Sequence, residues 1–414
     1  MTRGFLRAVL VAACALSLGG TALGGTALAG NPSPAGAEPR TGHVTAPALP
    51  TGLFGLDVDL SAVGVSDAEL ATVGPDALAA PTTGDKMLTV DDGLDCPNAE
   101  YPTIQSAVTA AAPGAKIKVC RGVYVEQVVI PAGKDGLTLF SEGHLAARIQ
   151  APPAMLDAEK AIVRVSGAKD VTIRHFTISG PGGGPCFSLD SGVRVDQGGS
   201  ATIENNHITE IRDTPFGGCQ NGLGVLVGET GQASAVIRHN LIDRYQKGGV
   251  VVSGAGSYAE VGYNEIVGPG VQPTIAPNGV QVSFGAAGDV HHNEITGNNY
   301  SGPFYGGTGV LVWTPAAGGV EIGFNDVYRN DDGISLYETE GALVEHNRSY
   351  EQLIWDGLYA APDSTGNTFS HNRAYLNREH DCHDDGANTW VKNYGLTENR
   401  PGLCRKATAP PTTP

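Results

Sequence analysis

One tripeptide pattern constrains this chain more than any other. Asn-x-Ile and close variants recur along its middle: Asn206-His-Ile, Asn240-Leu-Ile, Asn264-Glu-Ile, Asn293-Glu-Ile, Asn325-Asp-Val, Asn347-Arg-Ser and Asn372-Arg-Ala. The intervals are 34, 24, 29, 32, 22 and 25 residues. Upstream of six of them stands a Gly followed by an apolar residue: Gly224, Gly249, Gly279, Gly309, Gly333 and Gly357. The Gly-to-Asn distance stays between 14 and 16 residues. Half of the repeating unit is therefore nearly constant, and the other half absorbs the insertions. Self-similarity at such a period means a stacked array. Gly309-Val-Leu-Val-Trp and Gly333-Ile-Ser-Leu-Tyr alternate as strands do, so each unit is one coil of a strand-based solenoid. Asparagines stacked at one corner would hydrogen-bond each other and the backbone there, and they tolerate the left-handed conformation of a tight turn.

Composition narrows the classes further. With 58 Gly and 17% charged residues in 414, the chain is neither a helical bundle nor wholly disordered. No apolar run reaches the ~18 residues that span a bilayer. The formal charge of −17 repels phosphate backbones, which argues against nucleic acid as partner.

Residues 1–29 read as a secretory signal, with Arg3 and Arg7 at the front, an apolar stretch from Ala8 to Leu18, and Ala27-Leu28-Ala29 as cleavage site. Residues 30–85, rich in Ala, Pro and Gly, read as a linker or loosely docked extension, and 405–414 as a Pro/Thr tail. A secreted location makes disulfides the expected state of Cys96, Cys120, Cys186, Cys219, Cys382 and Cys404. Proximity favours 96–120, 186–219 and 382–404 among the many connectivities.

From about Tyr101 to Cys404 the chain resembles a right-handed parallel β-helix of the pectin-lyase-like superfamily. Tyr101-Pro-Thr-Ile-Gln-Ser-Ala-Val is similar to the helix that caps the first coil. Gly122, Tyr124 and Glu126 follow the superfamily's G-x-Y-x-E pattern, and the repeats resemble those of NosD-like exported proteins. The resemblance implies an all-β domain over 86–404, about ten coils of three strands, with the aligned Asn between the second and third strands. The insertions at 179–191, 212–221, 268–278 and 297–308 then share one corner, where Cys186 and Cys219 fall in successive coils. Motifs of the better-known relatives are missing: the catalytic Gln and Asp motifs of pectin methylesterases, Gly-His-Gly and Arg-Ile-Lys of polygalacturonases, and the R-x-P-x-x-R of pectate lyases. No residue set is carried over from them.

The resemblance places active sites on the exposed face of the first strand. There the expected substrate-binding residues are Trp313, Tyr337 and Tyr359, as an exposed aromatic ladder, with Gln281 and Ser335. Asp332, Asp356 and Asp385 (or Asp384) would stack on consecutive coils. Adjacent carboxylates raise one another's pKa, which suits a general acid. The same column also reads as ordinary turn capping by Asp before Gly, or as a Ca²⁺ site built from Asp331, Asp332 and Asp356. His380 and His383 offer a transition-metal alternative. The function expected is a polysaccharide hydrolase, lyase or epimerase, acting as a monomer on a polysaccharide or cell-envelope glycan. The alternative is a non-catalytic glycan-binding scaffold.

Overall fold

A computed structural model describes residues 87–93, 95–303 and 305–406. The leader, the 30–85 segment and all but the first two residues of the tail lie outside them. Three parallel sheets wind into a right-handed β-helix. Sheet 1 has ten strands, from Val128–Pro131 to Cys382–Asp384; sheet 2 has twelve, from Met87–Val90 to Ala387–Val391; sheet 3 has ten, from Gly122–Val125 to Arg373–Tyr375. Every strand pair within them is parallel, and apart from shifts at Val267/Gly270 and Thr365/Thr368 each coil is in register with the next, as between Val280, Val310 and Ile334 of sheet 1.

Inward positions carry one aliphatic residue per strand, stacked coil upon coil. In sheet 3 they are Ile208, Ile242, Ile266, Ile295 and Val327, all without exposed surface. Each such side chain contributes about 1.5–3 kcal/mol of burial. The helix expected near Tyr101 forms as α1, Ile104–Ala110, and turns Ile104, Ala107 and Val108 into the same core. Glu126 explains its place in G-x-Y-x-E: its carboxylate accepts the N–H groups of Ile104 and Gln105 at 2.8 and 2.9 Å, satisfying donors at the helix start. The strand Met87–Val90, which the repeat did not announce, precedes α1 and pairs with Lys116–Val119.

The aligned asparagines do form one column, between sheets 2 and 3. Each Oδ1 accepts both the backbone N–H and the side-chain amide of the asparagine one coil earlier, all at 2.9–3.2 Å, from Asn206 through Asn240, Asn264, Asn293, Asn325, Asn347 and Asn372 to Asn393. The left-handed residue of the corner is not the Asn but the one before it. His239, Tyr263, His292, Phe324, His346 and His371 all have φ between 53° and 58°. The recurrent Gly has a steric cause. A Cβ on Gly224 would lie 2.5 Å from the carbonyl oxygen of Gly249, and one on Gly333 2.1 Å from that of Gly357.

All insertions fall between sheets 3 and 1, and the three disulfides are Cys96–Cys120, Cys186–Cys219 and Cys382–Cys404. Among the described residues no helix is long and apolar enough to cross a membrane.

Candidate functional site

The last coils of sheet 1 bring the expected residues together, with two corrections of register. Ile334 pairs with Leu358, and Leu358 with Cys382, so Asp332, Asp356 and His380 form one column. Asp385 does not continue it. It lies two places beyond His383, whose own neighbour is Tyr359. Likewise Tyr359 pairs with Ser335, whereas Trp313 pairs with Tyr337, so the three rings are not one ladder.

Asp356 is the hub. Its buried carboxylate meets His380 Nδ1 at 3.2 Å and His383 Nδ1 at 3.0 Å, and Oδ1 also accepts the His380 N–H at 3.0 Å. His383 Nε2 reaches Asp385 Oδ1 at 3.1 Å, bringing Asp385 into the cluster by another route. Burial opposes protonation of His383, but its bonds and attraction to Asp356 and Asp385 outweigh it and raise its pKa above the ordinary imidazole value. With Nδ1 of His380 turned to Asp356, its Nε2 is the free nitrogen of that ring. Tyr359 meets His383 edge-on, ring centroids 4.9 Å apart.

Asp332 stands beside Asp356, but its oxygens serve the fold: Oδ1 accepts the Asp356 N–H at 3.2 Å and Oδ2 the Ser335 hydroxyl at 2.9 Å. Asp331 is further removed. It accepts N–H groups of Tyr300 and Gly307 and the Asn299 amide. Burial raises its pKa against those three donors. That occupation defeats the Ca²⁺ reading, since the three aspartates do not converge on one point. The donor set that converges is Asp356, His380 and His383, with ligand atoms all within 4.8 Å of one another. Two imidazoles and a carboxylate would suit a transition ion such as zinc better than Ca²⁺.

The aromatic residues are buried rather than exposed: Trp313 and Tyr337 are 5% accessible and Tyr359 2%. Tilted rings of Tyr337 and Tyr359, 5.5 Å apart, gather with Leu311, Ala361 and Phe284 into a small apolar cluster, and Trp313 donates to Glu338 at 3.3 Å. Gln281 stands one coil before Leu311, its register partner, and three before Tyr359, and its side chain bonds Asn278 and Ser283.

A second charged constellation on sheet 1 escaped the sequence reading, although Arg194 and Asp196 are at outward positions there. Arg164 and Arg194 both clamp Asp196 at 2.9 Å, and Arg194 also meets Asp190 at 3.2 Å and Glu229 at 3.0 Å. Burial, then the negative Glu229, push Asp190 up to about 7 against the pull of Arg194. Buried arginines among several acids read as an ion network.

The architecture is that of a right-handed parallel β-helix. The model of the family described as "right handed beta helix region" matches residues 154–274 and 223–397, together more than half of the chain, and the chain belongs to that family. No curated protein matches it. Among solved structures it is similar to XylC in complex with xylose (TM-score 0.50, 13% identity, 75% of this chain and 69% of that one). It is similar to the Dettilon tailspike protein gp208 (TM-score 0.53, 13% identity, 79% and 64%). The lacto-N-biosidase of family GH136 from Eubacterium ramulus is alike too (TM-score 0.53, 13% identity, 77% and 66%). The chain thus spans about two thirds of each, and the likeness is one of fold.

Proposed function

We propose that the chain is an exported carbohydrate-active enzyme whose chemistry is proton transfer at C5 of a uronate unit, giving β-elimination or epimerisation. One observation carries this: the buried Asp356 is committed to two imidazoles, while Asp332 is consumed by Ser335 and a backbone N–H. A two-carboxylate hydrolase needs both acids free to face the glycosidic bond. What this site presents instead is an imidazole, His380, with Nε2 turned away from Asp356 to act as base, beside His383, whose pKa is raised by Asp356 and Asp385, with the Tyr359 phenol adjacent.

In the proposed step, base removes the C5 proton and the electron pair moves toward the uronate carboxylate. Collapse then expels the C4 oxygen, which takes a proton from the acid, leaving a C4–C5 double bond; return of a proton to the opposite face gives the epimer. Asp356 fixes the tautomer and orientation of both rings. Three disulfides support export, and sugar-related names among proteins of like fold agree with a glycan substrate.

The test is incubation with polygalacturonate and alginate, followed by ultraviolet absorbance of unsaturated uronates and, in D₂O, by deuterium uptake at C5. Asp356→Asn should lower kcat at least about 100-fold. Unchanged turnover in both His380→Ala and His383→Ala would refute the assignment. New reducing ends on neutral glycans without unsaturation would mean a hydrolase, and binding without turnover a scaffold.

A further inference from the structure

The corner between sheets 2 and 3, away from sheet 1, carries a surface that the proton-transfer centre does not use. The residue before each aligned Asn points outward, and the side chains stack in a row: His239, Tyr263, His292, Phe324, His346 and His371. Ring centroids are 4.8–5.3 Å apart and planes within 20° of parallel. A second row, Tyr328, Tyr350 and Tyr375, runs beside it at 5.1 and 4.9 Å. Rings stacked this way cover each other's faces and turn their edges to solvent. They are therefore no platform for sugar faces; His edges offer ring nitrogens instead. Nor do His346 and His371 form a metal site. Parallel rings 5.0 Å apart hold matching nitrogens about that far from each other, whereas two bonds of ~2.1 Å to one ion allow at most ~4.2 Å.

Between the two rows runs a column of charge, one residue per coil: Glu265, Glu294, Asp326, Arg348 and Arg373. Its sign changes from acid to base exactly one coil after Asp326. Arg348 and Arg373 are directly paired in register, about 4.8 Å apart by strand spacing. Like charges so placed repel, and in this chain Asp326 balances only Arg348, at 3.1 Å. A groove of about 420 Å³ opens at this point, lined by Phe324, His346, Arg348, His371, Arg373 and Tyr394. A doubled guanidinium with imidazole edges and a phenol, on a chain of formal charge −17, is a local exception that needs an anion.

We propose that this groove binds an anionic polysaccharide through carboxylate or sulfate groups on its sugar units, as an anchoring site distinct from the Asp356 centre. The planar fork of Arg373 takes the anionic group; Arg348, whose Nε and Nη1 are held by Asp326, adds its charge and remaining N–H beside it; His346 and His371 offer ring nitrogens along the edge, and Tyr394 closes the end. The site is independent of the catalytic reading, and the assay, run on protein carrying Asp356→Asn so that no polymer is consumed, separates them: polymer held by the groove is lost with its arginines, whereas polymer held in the Asp356 cleft is not.

Affinity electrophoresis or titration calorimetry at low ionic strength would compare polygalacturonate and alginate (carboxylate), dextran sulfate (sulfate) and dextran (neutral). Binding to one or both anionic classes is expected, weakened by salt, with none to dextran. Arg373→Ala and Arg348→Ala should each weaken it about tenfold or more, and the double change should abolish binding of dextran sulfate and leave for the uronate polymers only what the Asp356 cleft holds. Arg329→Ala, which removes an exposed arginine paired with Glu351 outside the groove, should leave binding intact. Equal binding by wild type and the double variant, or no binding of any anionic polymer by the folded protein, would overturn the proposal. Melting curves identify any variant that fails to fold, and Arg373→Lys, which keeps the charge without the fork, should retain part of the affinity.

Discussion

Replacing Asn293 by Ala tests the corner on which the whole register depends. Asn293 is 2% accessible, so water cannot take over its bonds. The change leaves the Asn264 N–H, now bonded to Asn293 Oδ1 at 3.0 Å, without a partner. It also removes the amide bond from Asn264 at 3.0 Å and the donations from Asn293 to Val261 at 2.7 Å and Asn325 at 2.9 Å. One orphaned buried donor costs about 1–3 kcal/mol and each other lost bond about 0.5–1.5, so about 3–5 kcal/mol in all is reasonable. For a domain this size that lowers Tm by about 6–10 °C. Because a solenoid couples nearest neighbours, the loss should also be local. Hydrogen exchange at the Asn264 N–H should accelerate, while the Asn372 N–H, three coils on, keeps its protection at low denaturant. A melting point within about 1 °C of wild type, or uniform acceleration along the column, would refute the reasoning.

Gly333→Ala forces a Cβ to within 2.1 Å of the Gly357 carbonyl oxygen, and thermal unfolding should show a loss of about 2–4 kcal/mol. Opening the Cys186–Cys219 link by Ser substitution at both positions frees a loop of 33 residues, and denaturant melts should register about 3–4 kcal/mol. Asp190 has its folded pKa raised to about 7 from 3.8. A carboxyl so raised contributes stability that is fully present below the unfolded pKa and lost as pH rises through the folded one. Wild-type Tm should therefore fall between about pH 4 and pH 8 by an increment that Asp190→Asn lacks; parallel curves would rule out this account of Asp190.

The repeat made the coil legible because its two markers have single causes: Asn fills a corner that needs buried amide bonds, and Gly fills one with no room for Cβ. Disulfide pairing followed from proximity in sequence, and for Cys186–Cys219 from the shared corner of successive coils as well. The site was legible only in part. Asp332 and Asp356 precede marker glycines and were placed correctly as neighbours. The next coil has Asp381 where Gly357 would be repeated, and the motif Asp385-Gly386 drew the column five residues too far. His380 was therefore displaced from its true position beneath Asp356. Tyr359 stands two residues after its Gly, as Ser335 does, while Trp313 and Tyr337 stand four after theirs; counting from the glycine would have separated them. The tyrosine row follows from the count, since Tyr328, Tyr350 and Tyr375 each stand three residues after an aligned Asn, but the histidine row stayed unread for another reason. A residue beside a marker carries no period of its own until the backbone shows that its side chain turns outward.

The asparagine column has a direction. Every side-chain amide holds its oxygen toward the preceding coil and its N–H toward the next, so the small dipoles add along the axis instead of cancelling. Within the column each member bonds only the one above and the one below, whatever length of chain lies between. Excising residues 325–346 would bring Asn347 beneath Asn293 with the same two bonds remade. Growth and shortening of this molecule by whole turns therefore leave its internal polarity unbroken.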